Sequence, residues 1–490
     1  MTQLPKFKNT FVNAKTAQSI LKTRAGKQAA QVFSNAADRF LRGHQLALSG
    51  KTPFEVVYER EIISLRFYKS DVESGENKHR VPLVIIPPLA ANTLVFDLFP
   101  DRSLIRYFQS QGFDVYMIDW GTPSLKQAKY NFGTYIKIFM PDFINKIREH
   151  SGQQQLSLYG WSLGGAISLC YTSLFKDKNI KNVDLIIGGP PCQAYSVVGR
   201  ARMKDAVIED PRNFLYLHYV RFLTTFKPKM FIFENVPGLK SAGNGKHFND
   251  IKKAIDDAGY HIELQELIAS DYGVLQSRKR IIIVGWKKEN DKKYVYPDFE
   301  KIVNDKYFVS DVLNDLPKTT PGAKIEGKNK YTKPANQYLQ DSNIRDEGFD
   351  ILTQHETRPH NDRDREIYKE AILAWDTRKE RLCYKELSTR RSDLITHKNT
   401  TSFTNRFNVI KADERASHTI LAHMAMDGHY YIHPDIKQLR SLSIREAARL
   451  QSFPDDFYFE GPRTAIFRQI GNAVPPKMAE QIAKKIQELI

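Results

Sequence analysis

Six short apolar runs constrain this chain more than anything else in it: residues 81–86, 112–120, 156–159, 184–187, 230–233 and 280–284. Each is rich in Val, Ile, Leu, Phe or Tyr and meets a Gly, Pro or Asn at or just past its end, the mark of strands buried on both faces. Helical stretches such as 213–225 and 248–258 lie between the later runs. Strand, helix, strand, helix predicts an α/β fold, a three-layer and mostly parallel sheet with covered faces. The alternating run 56–67 reads as one more strand. Open sheets of this kind hold their ligands beyond the carboxyl ends of the strands, so the residues just after the runs are where chemistry is to be sought.

Composition narrows the setting. With 490 residues, 41% of them hydrophobic, the chain can bury cores for two or three domains. Cys170, Cys192 and Cys383 are too few and too scattered for a disulfide framework or a thiolate zinc site, so no metal and a reducing, cytoplasmic setting are expected. No run approaches the ~20 apolar residues of a membrane span, and no membrane partner is expected. Residues 10–50 read as helix almost without acids, a pattern shared by a packed N-terminal helix and a transit peptide. The net charge of +17 permits a polyanionic partner. Residues 1–180 hold 23 Lys and Arg against 14 Asp and Glu, so the surplus is spread and does not locate that partner. Pro317, Pro321, Gly322, Gly327 and Pro334 break the rhythm, and 336–437 is polar and irregular until regular patterning resumes at Leu442.

Three loops carry candidate chemistry. Gly188-Gly189-Pro190-Pro191-Cys192-Gln193-Ala194-Tyr195-Ser196 follows an apolar run, and its prolines suit a rigid loop that presents a thiol, although a lone Cys also serves as a small buried hydrophobe. Glu234-Asn235-Val236-Pro237-Gly238 ends another run. A carboxylate at a sheet's rim suits general acid–base work, and equally a solvated turn. Gln276-Ser277-Arg278-Lys279-Arg280 leads into a third, where alternation sets Arg278 and Arg280 on one face. Paired guanidiniums suit a phosphate, a carboxylate or a base edge, or a plain charged strand end.

In this order the three loops resemble the proline-cysteine, Glu-Asn-Val and Gln-x-Arg-x-Arg motifs of the DNA (cytosine-5) methyltransferase family. The segments 210–215, 440–446 and 469–476 are similar to the family's intervening and terminal motifs. Ser443 and Glu446 among them read as a capping box opening a helix. The likeness spans roughly residues 180–490. It implies that Cys192 adds to C6 of a cytosine flipped out of the duplex, and that Glu234 protonates N3. It implies too that Arg278 and Arg280 hold the O2 edge. Pro191, Gln193, Ser196, Asn235 and Gln276 would line the substrate pocket, and Leu215, Asn472 and Val474 the site of S-adenosylmethionine. Double-stranded DNA is the implied partner, bound by a monomer in a bacterial restriction-modification setting.

The front of the chain departs from that family. Its Phe-x-Gly-x-Gly cofactor loop should precede the Cys loop, yet no Gly-x-Gly occurs in residues 1–180. Gly160-Trp161-Ser162-Leu163-Gly164 instead sits between a strand and an Ala- and Leu-rich helix, as in the nucleophile elbow of α/β-hydrolases. With Pro87-Pro88-Leu89, residues 30–175 resemble polyhydroxyalkanoate synthases, truncated after the elbow, which leaves Ser162 as a vestigial nucleophile lacking its acid and histidine. The expected organisation is therefore a hydrolase-like segment (1–180), a methyltransferase catalytic segment (181–314), a target-recognition domain (315–437) and returning catalytic motifs (438–490). Its hydrolase-like strands would be joined to Rossmann-like methyltransferase strands. DNA cytosine-5 methylation is the leading function. A catalytically inactive DNA-binding chimera and an acyl hydrolase or polyester synthase using Ser162 are the alternatives.

Overall fold

The computed structural model describes residues 50–75, 77–89, 93–99, 102–180, 184–189, 214–289, 295–395 and 406–489. The helix expected over 10–50 lies outside them. The chain divides into two compact units, Met1–Asn182 and Val183–Ile490.

In the first unit, β1 (Glu55–Arg60), β2 (Ile63–Tyr68) and β3 (Leu83–Ile86) precede a ribbon of β4 (Asp97–Phe99) and β5 (Arg102–Ser103). Then come α1 (Leu104–Ser110), β6 (Val115–Asp119), α2 (Met140–Ser151), β7 (Ser157–Gly160) and α3 (Leu163–Phe175). The main sheet has the order β1-β2-β6-β3-β7; β6, β3 and β7 run parallel, while β1 and β2 are antiparallel additions. The one strand expected over 56–67 is thus a hairpin. Glu61 turns the chain at φ 56°, and the period-two pattern runs on through so tight a turn. Alternation along β3 and β6 serves both faces. Val84, Ile86 and Ile118 pack with Phe143 and Ile147 of α2 and Ile167 of α3; Ile85 and Met117 pack with Ile105 of α1.

The second unit opens with β8 (Leu185–Gly188), α4 (Tyr216–Phe226), β9 (Met230–Asn235), α5 (Lys246–Asp257), β10 (Tyr260–Ile268) and β11 (Lys279–Lys287). Their order is β10-β11-β9-β8. β8 and β9 are parallel, whereas β11 runs antiparallel to both its neighbours. The α/β class is as expected, but both main sheets are mixed rather than mostly parallel, and among the described residues each belongs to its own unit, beside the two-stranded ribbons β4–β5 and β12–β13. The reason lies in the connections. The link from β10 to β11 is too short for the crossover a parallel pair needs.

Phe231, Phe233, Ile281 and Ile283 face α4 and α5, packing on Tyr219, Leu223, Ile251 and Ile255. The remainder of the unit holds β12 (Lys324–Lys328), β13 (Ile351–Glu356), α6 (Asp362–Arg378), α7 (Ile444–Leu450), α8 (Arg463–Asn472) and α9 (Pro476–Gln487). Helix α9 starts at a proline, whose missing N–H costs nothing in a first turn, and its Met478, Ile482 and Ile486 cover Met230, Ile232, Ile282 and Val284 on the opposite face of the sheet.

Helix α7 is buried on every side. The capping box read from the sequence is present: the Glu446 N–H donates to Ser443 Oγ at 3.1 Å and the Ser443 N–H to Glu446 Oε2 at 2.7 Å. Glu446 also accepts both terminal nitrogens of Arg440 at 2.7 Å. Arg449 spends all five of its N–H groups, on Asp455 through Nε (2.8 Å) and Nη2 (2.6 Å), on Asp315 through Nη1 (2.5 Å) and Nη2 (3.0 Å), and on the Val312 carbonyl (2.9 Å). Among the described residues no helix is long and apolar enough to cross a membrane.

Candidate active site

Parallel strands β8 and β9 end side by side, and the loops beyond them carry the first two motifs. Gly188 and Gly189 are glycine for lack of space. A Cβ at Gly188 would lie 2.8 Å from the Tyr219 ring, and one at Gly189 would lie 3.0 Å from Glu234 Oε2. The start of the Cys loop therefore runs against the Glu234 carboxylate. Pro191, Cys192, Gln193 and Ser196 themselves lie outside the described residues.

The other carboxylate oxygen is taken from the neighbouring strand. Arg280 Nε on β11 approaches Glu234 Oε1 at 2.8 Å, with the Arg side chain 9% and the Glu side chain 28% exposed. Glu234 is thus held between a guanidinium and the glycine turn, with enough exposure to meet a ligand. Burial pushes its carboxyl pKa above the usual value, a pull that Arg280 and Arg278 oppose without cancelling. Such a group holds a proton closer to neutrality than an ordinary glutamate and can serve as an acid.

Alternation sets Arg278 beside Arg280, but Arg278 takes another course. It is wholly buried, and Nη1 and Nη2 donate to the backbone carbonyls of Ile420 (2.8 Å) and Gly471 (2.9 Å). It holds protein backbone where the sequence had suggested a base edge. Gln276 is likewise buried; its Nε2 donates to the Leu450 carbonyl (2.8 Å) and Gln451 Oε1 (3.0 Å), and its Oε1 accepts from the Ile420 N–H (2.9 Å). Asn235 is buried at the end of β9, its Oδ1 accepting from the Val236 N–H at 2.9 Å, which shapes the turn after Glu234. None of these three is presented to an open pocket in the way Glu234 is. Of the proposed cofactor contacts, Leu215 is half-buried just before α4, Asn472 is exposed at the end of α8, and Val474 packs on the β8–β9 face beneath α9. Sequence reasoning missed the backbone clamps made by Gln276 and Arg278. Three alternate polar residues entering a buried strand were the available signal, since solvent can satisfy few of them there.

Ser162 sits at a true elbow in the first unit, with φ 54° and ψ −122°. Glycines on either side permit it: a Cβ at Gly164 would lie 1.9 Å from the Ile86 carbonyl oxygen, and one at Gly160 would lie 2.6 Å from Gly165. The side chain is exposed. Among the described residues of this unit the histidines serve elsewhere, His79 stacked on Phe113 at 3.9 Å and His150 bonded through Nδ1 to the Tyr116 hydroxyl at 2.7 Å. A serine without a base is a poor nucleophile. A fluorophosphonate probe is therefore expected to label wild type no more than Ser162→Ala; labelling that this substitution removes would restore the hydrolase reading. Among the described residues no group of His, Cys, Asp and Glu could hold a metal ion.

Residues 170–488 match the family model for C-5 cytosine-specific DNA methylases. The chain belongs to that family. Residues 81–197 match the model of the α/β hydrolase fold, and residues 17–108 that of the poly-beta-hydroxybutyrate polymerase N-terminus. Over 330 residues the chain is 44% identical to the type II methyltransferase M.Bpa9945I of Bacillus paralicheniformis, an alignment covering 63% of this chain and 71% of that one. It is 30% identical over 378 residues to the type II methyltransferase M.AgeI of Thalassovita gelatinovora, covering 63% and 83%. All the methylase motifs read from the sequence fall within the matched region of this family member.

Proposed function

We propose that this protein is a DNA methyltransferase that transfers a methyl group from S-adenosylmethionine to C5 of a cytosine turned out of double-stranded DNA. The observation that carries the reading is the convergence on Glu234: Arg280 on one oxygen at 2.8 Å, and Gly189, three residues ahead of Cys192, against the other. C5 of cytosine is a weak nucleophile. The Cys192 thiolate adds to C6, and the electron pair of the C5–C6 bond moves toward C5 as Glu234 donates its proton to N3. C5 then takes the methyl group and adenosylhomocysteine leaves. Water takes the C5 proton, which re-forms the double bond and expels the thiolate, and N3 returns its proton to the Glu234 carboxylate. Arg280 holds the Glu234 carboxyl in place and faces the O2 edge. Arg278 and Gln276 are positioning residues that fix the strand carrying Arg280. The 315–437 region reads the target sequence in the major groove, and a monomer acts on each site.

Methyl transfer from labelled adenosylmethionine to mixed-sequence DNA tests the reading. DNA binding with no transfer would leave a DNA-binding protein in its place. Glu234→Gln is expected to lower the transfer rate by about 10²–10⁴-fold. Because the acid form of Glu234 does the work, wild-type transfer falls as pH rises through its elevated pKa. The Gln variant lacks that fall, so a pH profile of identical shape in both proteins would remove Glu234 from the acid role.

A further inference from the structure

A cavity of about 760 Å³ in the second unit lies where the chain enters and leaves the region expected over 315–437. Segment 310–318 lines it on entry and 433–438 on exit, and its size is that of an ordinary small-molecule site. The residues at its back are buried and polar. His433 Nδ1 accepts from the Asp435 N–H at 3.1 Å, which leaves the ring proton on Nε2, 3.5 Å from Glu446 Oε1. Burial pushes the His433 pKa down to about 4, so the ring is neutral. The charge of Glu446 is met by Arg440, whose two terminal nitrogens donate to it at 2.7 Å. The back of the cavity therefore offers polar atoms without an uncompensated charge.

The outer lining has another character. Asn314, Lys318 and Lys333 are exposed. Lys318 Nζ is paired with Asp435 Oδ2 at 2.8 Å, whereas the Lys333 ammonium and the Asn314 side-chain amide bond to no other described residue. Leu316, Pro317 and Pro434 add apolar surface to the same walls. We infer that this cavity binds a nucleoside monophosphate, its base on the apolar surface and its phosphate at Lys333. The Asn314 amide supplies the donor and acceptor that a base edge takes. A neutral heterocycle matches a polar back without net charge, and the unpaired ammonium matches a phosphate. A simple anion would leave the apolar walls unused. An apolar ligand would strip water from the Asn314 amide and replace none of its hydrogen bonds. The occupant touches both connections of the 315–437 region and so ties them together. This site stands whether or not the chain transfers methyl groups.

Hydrogen exchange of the full chain, read by mass spectrometry with and without each deoxynucleoside monophosphate at millimolar concentration, tests the site. Exchange over 310–318 and 433–438 is expected to slow by about threefold or more. Asn314→Ala and Lys333→Ala are each expected to raise the half-maximal nucleotide concentration for this protection by about three- to tenfold. Both side chains are exposed, and unchanged exchange along α7 without nucleotide shows that the variants are folded. Glu234→Gln leaves the protection as in wild type, which separates this cavity from the catalytic pocket. A single-stranded tetradeoxynucleotide assigns the source of the nucleotide within the supported site. Protection at about tenfold lower concentration makes the occupant a residue of a DNA strand, and protection no better than with the monophosphates makes it a free nucleotide. The inference is overturned by any of four results: no protection of these segments by any nucleotide; equal protection by inorganic phosphate, which would make this a plain anion site; protection indifferent to both substitutions; or protection lost in Glu234→Gln.

Discussion

Cys192→Ala is expected to abolish methyl transfer, a loss of roughly 10⁴–10⁶-fold, because in the proposed mechanism the thiolate supplies the electrons that make C5 reactive. The same chemistry offers a readout independent of turnover. With fluorine in place of hydrogen at C5 of the target cytosine, methylation leaves no proton to lose and the thiolate cannot be expelled, so protein and DNA stay joined. Wild type is expected to form that denaturant-resistant complex in an adenosylmethionine-dependent manner, and Cys192→Ala to form none. Equal trapping by both proteins would show that the covalent bond is made elsewhere. Glu234→Gln separates the roles further: it slows trapping, whereas loss of the thiol prevents it.

Arg449→Met is expected to destabilise the second unit by about 3–5 kcal/mol, among the largest effects available outside the active site. The buried carboxylates of Asp315 and Asp455 share this guanidinium, which is itself fully buried and has every N–H engaged. Removing it leaves Asp315 with Arg345 (2.6 Å) and Asp455 with the Tyr331 hydroxyl (2.8 Å), so two buried carboxylates face each other with one cation fewer between them. In wild type, Arg449 holds the Asp455 carboxyl below its ordinary pKa against the opposing effect of burial, so the pair's contribution is present at neutral pH and is lost as pH falls through that depressed pKa. In Arg449→Met the under-compensated carboxylates gain by taking up protons, so the deficit is greatest near neutral pH and shrinks on acidification. Urea unfolding of the full chain at two pH values measures this, and a deficit independent of pH would mean that lost packing, not charge, sets the cost.

Much of the site was legible because its constraints are local. Gly188-Gly189 and Glu234-Asn235 stand at the ends of short apolar runs, and such runs in an α/β alternation present their carboxyl ends to ligands. Ser162 was legible for the same reason, since glycines at both flanks are what an elbow of its φ and ψ demands. Arg278 was misread, because alternation gives the face of a side chain and not what stands there to meet it. Arg280 meets a carboxylate at 2.8 Å, while Arg278, two residues earlier, meets the carbonyls of Ile420 and Gly471, which lie more than a hundred residues away along the chain.

The places of β3, β6, β7, β8, β9 and β11 along the chain, the elbow at Ser162, the capping box at Ser443 and Glu446 and the family of residues 170–488 were all determined by the sequence itself, through period, turn chemistry and motif order. The tertiary structure alone decided the order of the strands within each sheet, the antiparallel course of β11, the hairpin hidden in 56–67 and the burial of Arg278 and Gln276. The division has one physical cause. Local structure follows from neighbours within a few residues, whereas partners and burial depend on which distant segments fill the space around a side chain.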